Sequence, residues 1–459
     1  MPSTYLSRNI SAGSTGKKFT LSAWIKFTSL STNSELWSIS NDNTVHNYID
    51  ICFKSGVLDM QFKLANGGTF MRRKTTRLFR DVNAWYHIVL RFDSTNSTAS
   101  DRFRLYVNGV QETSFDNDGT ASTFPSDYVT ALSTSGANQF IGRTVGYSSY
   151  WDGSMSHFHL CDGYSYAPTV FGSTDSTTGE WKINTSPSIT MGTNGFTILK
   201  DGNTITDQSS NSNNFSLGAG TLTKTEDNPS NVFATLNPLH IQGTTSRSIT
   251  YGNTRFYTTT TAWGSALSTL GFSSGKFYVE AKILTLNSST GYGSIAIQDI
   301  NAFGSSGNTN ANLNGNNASA GLSADYRSGQ SAIYSSGSTV SSNVGDFSNN
   351  DIIGMAIDMD NKALYIHKNG TYYQIGGVTG VPTSGASKTG AITIPTSVET
   401  CAIGLGSYTS NADFCYNFGN GYFLSTAVAS AGTNASGIGI FEHDVPANFT
   451  ALSTKGLNL

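Results

Sequence analysis

Charge is scarce in this 459-residue chain. Asp, Glu, Lys and Arg together make up 12% of it, and their balance leaves a net charge of −3. So weak a field does not draw in a phosphate backbone, and nucleic acid is excluded as an expected partner. Cysteine is scarcer: Cys52, Cys161, Cys401 and Cys415 are too few to staple a chain this long, and no C-x-x-C spacing suggests zinc. They are expected as buried thiols that pack like small apolar groups. Long apolar runs are missing as well. The apolar residues, 37% of the chain, come in short alternating segments, which suffices for thin sheet-on-sheet cores and falls short of a membrane span. The N-terminus lacks the basic, apolar, small-residue order of a secretory signal, so triplets such as Asn96-Ser97-Thr98 carry no weight as glycosylation sites. Apolar spacing of helical period is nowhere sustained over three turns. Heptads, collagen-like triplets and shaft repeats are absent too, which excludes a complete elongated fibre.

What the chain does have is aromatic residues: 26 Phe, 21 Tyr and 6 Trp, set in a background of Ser, Thr, Asn and Gly. Disordered chains are poor in such rings, so the polar background reads as turns and outward strand positions. Residues 85–111 show how the parts combine. Tyr86, Ile88, Leu90 and Phe92 alternate, as do Phe103, Leu105 and Val107, and alternate side chains of a strand share a face. Asn108-Gly109 then supplies a pair that takes the positive φ of a tight hairpin. Ile353, Met355, Ile357 and Met359, followed by a run ending in Asn369-Gly370, repeat the device. In 19–27, Phe19, Leu21, Ala23, Ile25 and Phe27 form one face and Thr20, Ser22, Trp24 and Lys26 the other, the pattern of a half-buried antiparallel strand. Shorter strands are expected over 35–39, 48–53 and 57–64, with turns at Gly56 and Gly67-Gly68. One core would outgrow itself at this length. The expectation is therefore an all-β protein of two antiparallel β-sandwich (jelly-roll) domains in tandem, with the Asn/Ser/Gly-rich stretch 301–337 as surface loops and weak strands outside the core.

Candidate chemistry is thinly spread. Arg72, Arg73, Lys74, Arg77 and Arg80 form a dense basic cluster, suited to an anionic partner or glycan, or else to a solvated strand face that discourages edge-to-edge pairing. His157 and His159 share a strand face, with His87 expected in an adjacent strand. No carboxylate or cysteine spacing completes a metal site around them, so neither metal nor other cofactor is expected. No Gly-rich phosphate loop opens a helix, and no Ser-His-Asp arrangement has support. Tyr147, Tyr150, Trp151 and Asp152 remain as glycan-binding candidates, because aromatic faces stack on sugar C–H surfaces while a carboxylate accepts hydroxyl hydrogen bonds. The alternative is that these rings cover a sheet edge or fill a subunit contact. Tyr372 and Tyr373 pose the same choice.

The order of the motifs adds specificity. The hairpin through Asn108-Gly109, the strand Phe140-Ile141-Gly142-Arg143, the aromatic loop 146–152 and the closing strand to Asp162-Gly163 resemble the laminin-G-like branch of the concanavalin A-like lectin/glucanase jelly rolls over most of residues 1–170. Beyond it, Ala167-Pro168-Thr169-Val170-Phe171-Gly172, Glu180-Trp181, Asp227-Asn228-Pro229-Ser230-Asn231-Val232-Phe233 through Pro238, and the closing stretch 441–449 are similar to a family of tailed-bacteriophage virion proteins in which a lectin-like domain precedes a second sandwich. Asp207-Gln208-Ser209-Ser210-Asn211 departs from that family's Asp-Ser-Ser-Gly-Asn by lacking the glycine. Gly275-Lys276-Phe277-Tyr278-Val279-Glu280, residues 353–370 and Asn417-Phe418-Gly419 resemble SPRY domains. The resemblances imply a laminin-G-like domain at 1–175, a connector packed on the sandwiches at 176–244, a SPRY-like domain at 245–440 and a docking tail at 441–459.

They also imply a role: a non-enzymatic protein made in the host cytoplasm and exposed on the virion surface. It would bind host cell-surface polysaccharide as part of a tail or head appendage, or serve purely as a capsid decoration or assembly subunit. Its partners would be other virion proteins and copies of itself in a homo-oligomer, with no membrane insertion. Glucanases of the concanavalin A-like class use paired carboxylates about 5 Å apart in the retaining mechanism. Glu35, Glu112, Glu180, Glu226, Glu280, Glu399 and Glu442 are so dispersed that no two share a strand, which disfavours a glycan-degrading hydrolase unless carboxylates meet across strands.

Overall fold

The computed structural model describes the whole chain except residues 1–3, 11–12, 29, 31–32, 42–46, 64–69, 147–148, 201–203, 244–246, 260–262, 287–291, 302–319, 326–330, 336–337, 343 and 409–411. Among the described residues the helical pieces are short 3₁₀ turns, and the fold is all-β as expected. The chain divides into two compact units, Met1–Lys224 and Thr225–Leu459.

The first unit stacks two antiparallel sheets. One has eight strands in the order Phe115–Asp116, Met71–Thr75, Val57–Lys63, Tyr48–Lys54, Ser34–Ser40, Asn138–Ile141, Tyr5–Asn9 and Ser216–Ala219. The other has six, in the order Phe196–Ile198, Gly153–Asp162, Lys18–Phe27, Tyr86–Asp93, Phe103–Val107 and Val110–Glu112. Period-two alternation decides which faces meet. Leu21, Ile25, Leu90, Phe92 and Leu105 from the second sheet close on Ile39, Ile49, Ile51, Met60 and Phe62 from the first in one buried core. Each such side chain contributes roughly 1.5–3 kcal/mol on burial. The turn between Val107 and Val110 has φ of 48° at Asn108 and 77° at Gly109, the two positive values that a two-residue hairpin of matching twist requires. Gly109 is fixed by packing as well, because a Cβ there would stand 2.4 Å from the Trp181 ring.

The outer face of the six-stranded sheet differs from expectation. Thr20, Ser22, Trp24 and Lys26 are all buried. Their cover comes from the chain that follows: Phe171 and Met191 pack on Val89, Tyr106 and Cys161, and the Gly172–Thr174/Trp181–Ile183 ribbon lays Trp181 over His87. Further along, Phe196–Ile198 extends the six-stranded sheet and Ser216–Ala219 extends the eight-stranded one, with Phe196 and Phe215 in the core. Much of the stretch assigned as connector is thus woven into the first sandwich.

The second unit repeats the plan. Seven strands run in the order Leu236–Gly243, Trp263–Phe272, Cys401–Tyr408, Tyr292–Asp299, Ala320–Asp325, Ala332–Ser335 and Ser338–Ser342. They face a sheet whose main path is Arg247–Thr250, Arg255–Thr258, Ala412–Asn417, Lys276–Leu286, Ile352–Asp358, Ala363–Lys368 and Thr371–Tyr372. Asn369 and Gly370, at φ 49° and 85°, close the second hairpin of the type read from sequence. Within 301–337 the described strands do not stay outside the core, since Ala320, Leu322 and Ile333 are buried in it. Their short apolar islands are hidden among Asn, Ser and Gly, which is why composition placed the stretch on the surface.

On the outer face of the larger sheet lies the C-terminal stretch. Thr450–Ala451 pairs in parallel with Lys276–Leu286, and Phe441, Val445 and Phe449 pack on Tyr278, Tyr365 and Phe233. Leu452 is in the main core, whereas Leu457 is exposed. The Glu280 carboxylate accepts backbone N–H bonds from Glu442 at 2.9 Å and His443 at 2.7 Å. All four cysteines are buried and free of disulfides.

Candidate functional site

Because one face of the eight-stranded sheet is core, the residues in between form a second, polar array on its outer face. Register aligns them in rungs. Ser7, Phe140, Ser38, Asp50, Gln61 and Arg72 lie across successive strands, and Glu35, Cys52, Asp59, Lys74 and Asp116 form the neighbouring rung. At one end stands an aromatic group. Tyr5 lies 6.0 Å from Phe140 and 6.1 Å from Tyr150 between ring centroids, and the Arg143 guanidinium sits 4.8 Å over Tyr5 and 5.1 Å over Phe140. All four side chains are half-buried. Arg143 and Thr144 lie against the middle of the face, where the Arg143 carbonyl accepts from Ser38 Oγ at 2.8 Å and Thr144 Oγ1 donates to Asp50 Oδ1 at 2.8 Å.

The centre of the face is acidic. Glu35 and Asp50 are buried and joined by a side-chain hydrogen bond. Burial pushes both carboxyls up, and the Asp50 charge pushes Glu35 further. Two like charges so close do not both ionise, so the pair holds one proton between them. Asp59, also buried, goes the other way: burial opposes its ionisation, but Arg72 and Lys54 hold it below the usual carboxylate range. Arg72 Nε and an Nη reach its two oxygens at 2.8 and 2.7 Å, and Lys54 Nζ reaches it at 3.0 Å.

The residues singled out from sequence fall in several places. Tyr147 lies outside the described residues. Tyr150 joins the aromatic group on the outer face. Trp151 does not: it is 8% exposed and packs in the core, 5.3 Å from Phe27 and 6.0 Å from Phe53. Its ring is therefore withdrawn from any sugar. Asp152 is half-buried, and its backbone carbonyl accepts from Thr28 N at 3.1 Å. Tyr372 and Tyr373 are packed against the second unit's cores, Tyr372 edge-on to His367 at 5.1 Å.

The basic cluster is largely neutralised. Arg72 pairs with Asp59 and Asp118, Lys74 with Asp116 at 3.3 Å, and Arg77 with Glu112 at 2.6 Å. Arg73 points inward between the sheets, 5.2 Å over Phe124 and 5.8 Å over Phe103, and donates to the Ala121 carbonyl at 2.8 Å. Arg80 is exposed. The histidines do not make a metal site either. His87 is fully buried, with Nδ1 accepting from the Trp181 indole at 2.9 Å and Nε2 bonded to Ser22 Oγ at 2.9 Å, so both ring nitrogens are in use. His159 bonds Thr197 Oγ1 at 2.8 Å and His157 Nδ1 is bonded to Ser156 Oγ at 2.7 Å, so although the two rings stand 6.3 Å apart between centroids, as expected of neighbours on one face, each is engaged by a hydroxyl. Burial holds His87 and His159 down at about 3, neutral at all ordinary pH.

Sequence reasoning missed the acidic centre. Its signal was present in Tyr48–Lys54 and Val57–Lys63, where Asp50, Cys52, Asp59 and Gln61 alternate with core residues. Glu35 joins them only through cross-strand register, opposite Cys52. Carboxylates do meet across strands here, Glu35 with Asp50, the circumstance that the scattered Glu residues had left open.

Residues 3–171 match the family model Laminin_G_3, concanavalin A-like lectin/glucanases superfamily, which spans less than half of the chain. No curated protein matches the chain. Among solved structures it is similar to the SPRY domain of human HERC1, at 14% identity and a TM-score of 0.29 over 39% of this chain and 96% of that one. It is similar also to domains LG4-5 of the mouse laminin alpha1 chain, at 8% identity and a TM-score of 0.28 over 97% and 92%. A third is the CBM40 of a Ruminococcus gnavus IT-sialidase bound to alpha2,3 sialyllactose, at 15% identity and a TM-score of 0.24 over 34% and 89%. At such scores none bears on function. The family match and the stacked antiparallel sheets together give the first unit a laminin G-like domain of the concanavalin A-like type.

Proposed function

We propose that the first sandwich binds glycan on the outer face of its eight-stranded sheet, and that the protein is a non-enzymatic adhesion component on the surface of a bacteriophage particle, part of a tail or head appendage. The observation that carries the binding reading is the Tyr5, Phe140 and Tyr150 ring group with Arg143 across it. Rings already fixed by packing offer a stacking surface at little further entropic cost, and Arg143, Gln61 and the Tyr48 hydroxyl supply hydrogen-bonding groups on the same face. The virion setting is supported by the sequence resemblance at 167–238 and 441–449.

Binding is favoured over hydrolysis by the arrangement of the acids. A retaining pair stands about 5 Å apart with the glycosidic bond between them. Glu35 and Asp50 are instead hydrogen-bonded to each other and buried beside Thr144, withdrawn from a glycosidic bond lying on the surface.

The test is a glycan array of bacterial surface polysaccharides probed with the full-length protein. Binding is expected, weakened about tenfold or more by Tyr150→Ala, with no new reducing ends in the bound glycans. Absence of binding across the array would leave these surfaces to assembly alone.

A further inference from the structure

We propose that Glu35, Asp50 and Cys52 bind one divalent transition-metal ion of the zinc type beside Thr144, on the outer face of the eight-stranded sheet. The inference stands apart from the glycan reading. Glu35 faces Cys52 across the ladder, and Asp50 stands two residues from Cys52 on the same side of its strand. Each offers a donor atom within 4.8 Å of the others. Donors held about 2.0–2.3 Å from one zinc ion stand roughly 3–4 Å from one another, a spacing that falls inside that limit.

Two carboxyls and a thiol taken out of water side by side need a compensating cation or proton. The nearby bases are committed elsewhere: Lys54 and Arg72 turn their heads to Asp59 at 3.0 and 2.7 Å. Asp59 is saturated, with Arg72 Nε on one oxygen and Arg72, Lys54 and Gln61 on the other. Glu35 shows the contrast. Though 3% exposed, it keeps its Oε2 with no hydrogen-bond partner among the described residues. A bare buried carboxylate oxygen is rare and calls for a ligand. Asp50 is meanwhile oriented by the Thr144 hydroxyl at 2.8 Å, as an outer partner orients a metal-ligating carboxylate.

The donor types choose the ion. A thiolate disfavours calcium and magnesium, which take oxygen ligands, and suits zinc together with carboxylates. On loading, the proton shared by Glu35 and Asp50 and the Cys52 thiol proton pass to solvent. Three anionic ligands then face the doubly charged ion, leaving one negative charge close to Lys54.

The test uses full-length protein stripped with a chelator and titrated with Zn2+ and, separately, Cd2+. The expected results are about one Zn2+ per chain, a Tm that rises with Zn2+, and a thiolate-to-metal ultraviolet band with Cd2+. Glu35→Gln should weaken uptake by about tenfold or more, Cys52→Ser should abolish the band, and Cys161→Ser should leave both unchanged. No Zn2+ uptake by the wild type, or a Cd2+ band that survives Cys52→Ser, overturns the proposal. The wild-type titration decides the first point even where a variant fails to fold.

Discussion

Two neighbouring aromatic residues show how far apart composition and position can be. Trp151 and Tyr150 both belong to a loop whose makeup suits sugar binding, yet one is core and the other lies on the outer face. Trp151→Ala should cost about 3–5 kcal/mol of stability, as large cavities do, in urea unfolding of the intact protein. Tyr150→Ala should stay within about 1 kcal/mol while affecting glycan binding. The reverse ranking would place the ring group wrongly. Gly109 supplies a second case. Its φ of 77° and the Trp181 ring 2.4 Å from a would-be Cβ mean that Gly109→Ala should destabilise by about 1–3 kcal/mol, read by the same unfolding curves. Asn108-Gly109 was legible from sequence because a turn is local chemistry. The burial of Trp151 was not, because an aromatic side chain reads alike whether it points into a core or out of it.

Strands show the same division. Alternation located Lys18–Phe27, Tyr86–Asp93 and Ile352–Asp358 correctly, since one buried face writes a period of two into the sequence. What covers the other face comes from distant segments and leaves no local trace, as with Trp181 over His87 or Phe441 over Tyr278. The acidic centre was hidden for a related reason: pairing of Glu35 with Cys52 is a matter of register, not of period.

The stretch over Tyr278 also makes a pH-dependent element. Burial raises Glu280 from 4.5 to about 7, against the donors from Glu442, His443, Tyr278 and Asn417 that favour its charged form. An acid whose folded pKa is raised lends stability that is fully present below about 4.5 and lost as pH climbs through 7, on the order of 3 kcal/mol here. His367, held down at about 3 by burial, acts oppositely as pH falls below its ordinary 6.5. Comparison with Glu280→Gln isolates the carboxyl: the wild type should lose stability relative to the variant between pH 4.5 and 7. Parallel curves in chemical denaturation across that window would contradict the assignment.

For the whole molecule, two units with separate cores make a claim about where the chain can be cut. A fragment of residues 1–224 should fold and unfold cooperatively. A fragment of residues 1–175, the boundary that sequence alone suggests, lacks Phe196–Ile198 and Ser216–Ala219 and so bares an edge of each sheet, along with the places of Phe196 and Phe215. It should aggregate, because exposed edges template pairing between chains. Equal behaviour of the two fragments in size-exclusion chromatography would show that residues 176–224 add nothing to the first sandwich.

In the proposed function, glycan is touched on the outer face of the eight-stranded sheet. The most direct measurement is a structure of the full-length protein with an oligosaccharide selected from the array. The sugar should lie across Tyr5, Phe140 and Tyr150, with Arg143 donating to its hydroxyls. A sugar seated on the second unit, or on the covered face behind His87 and Trp181, would contradict it.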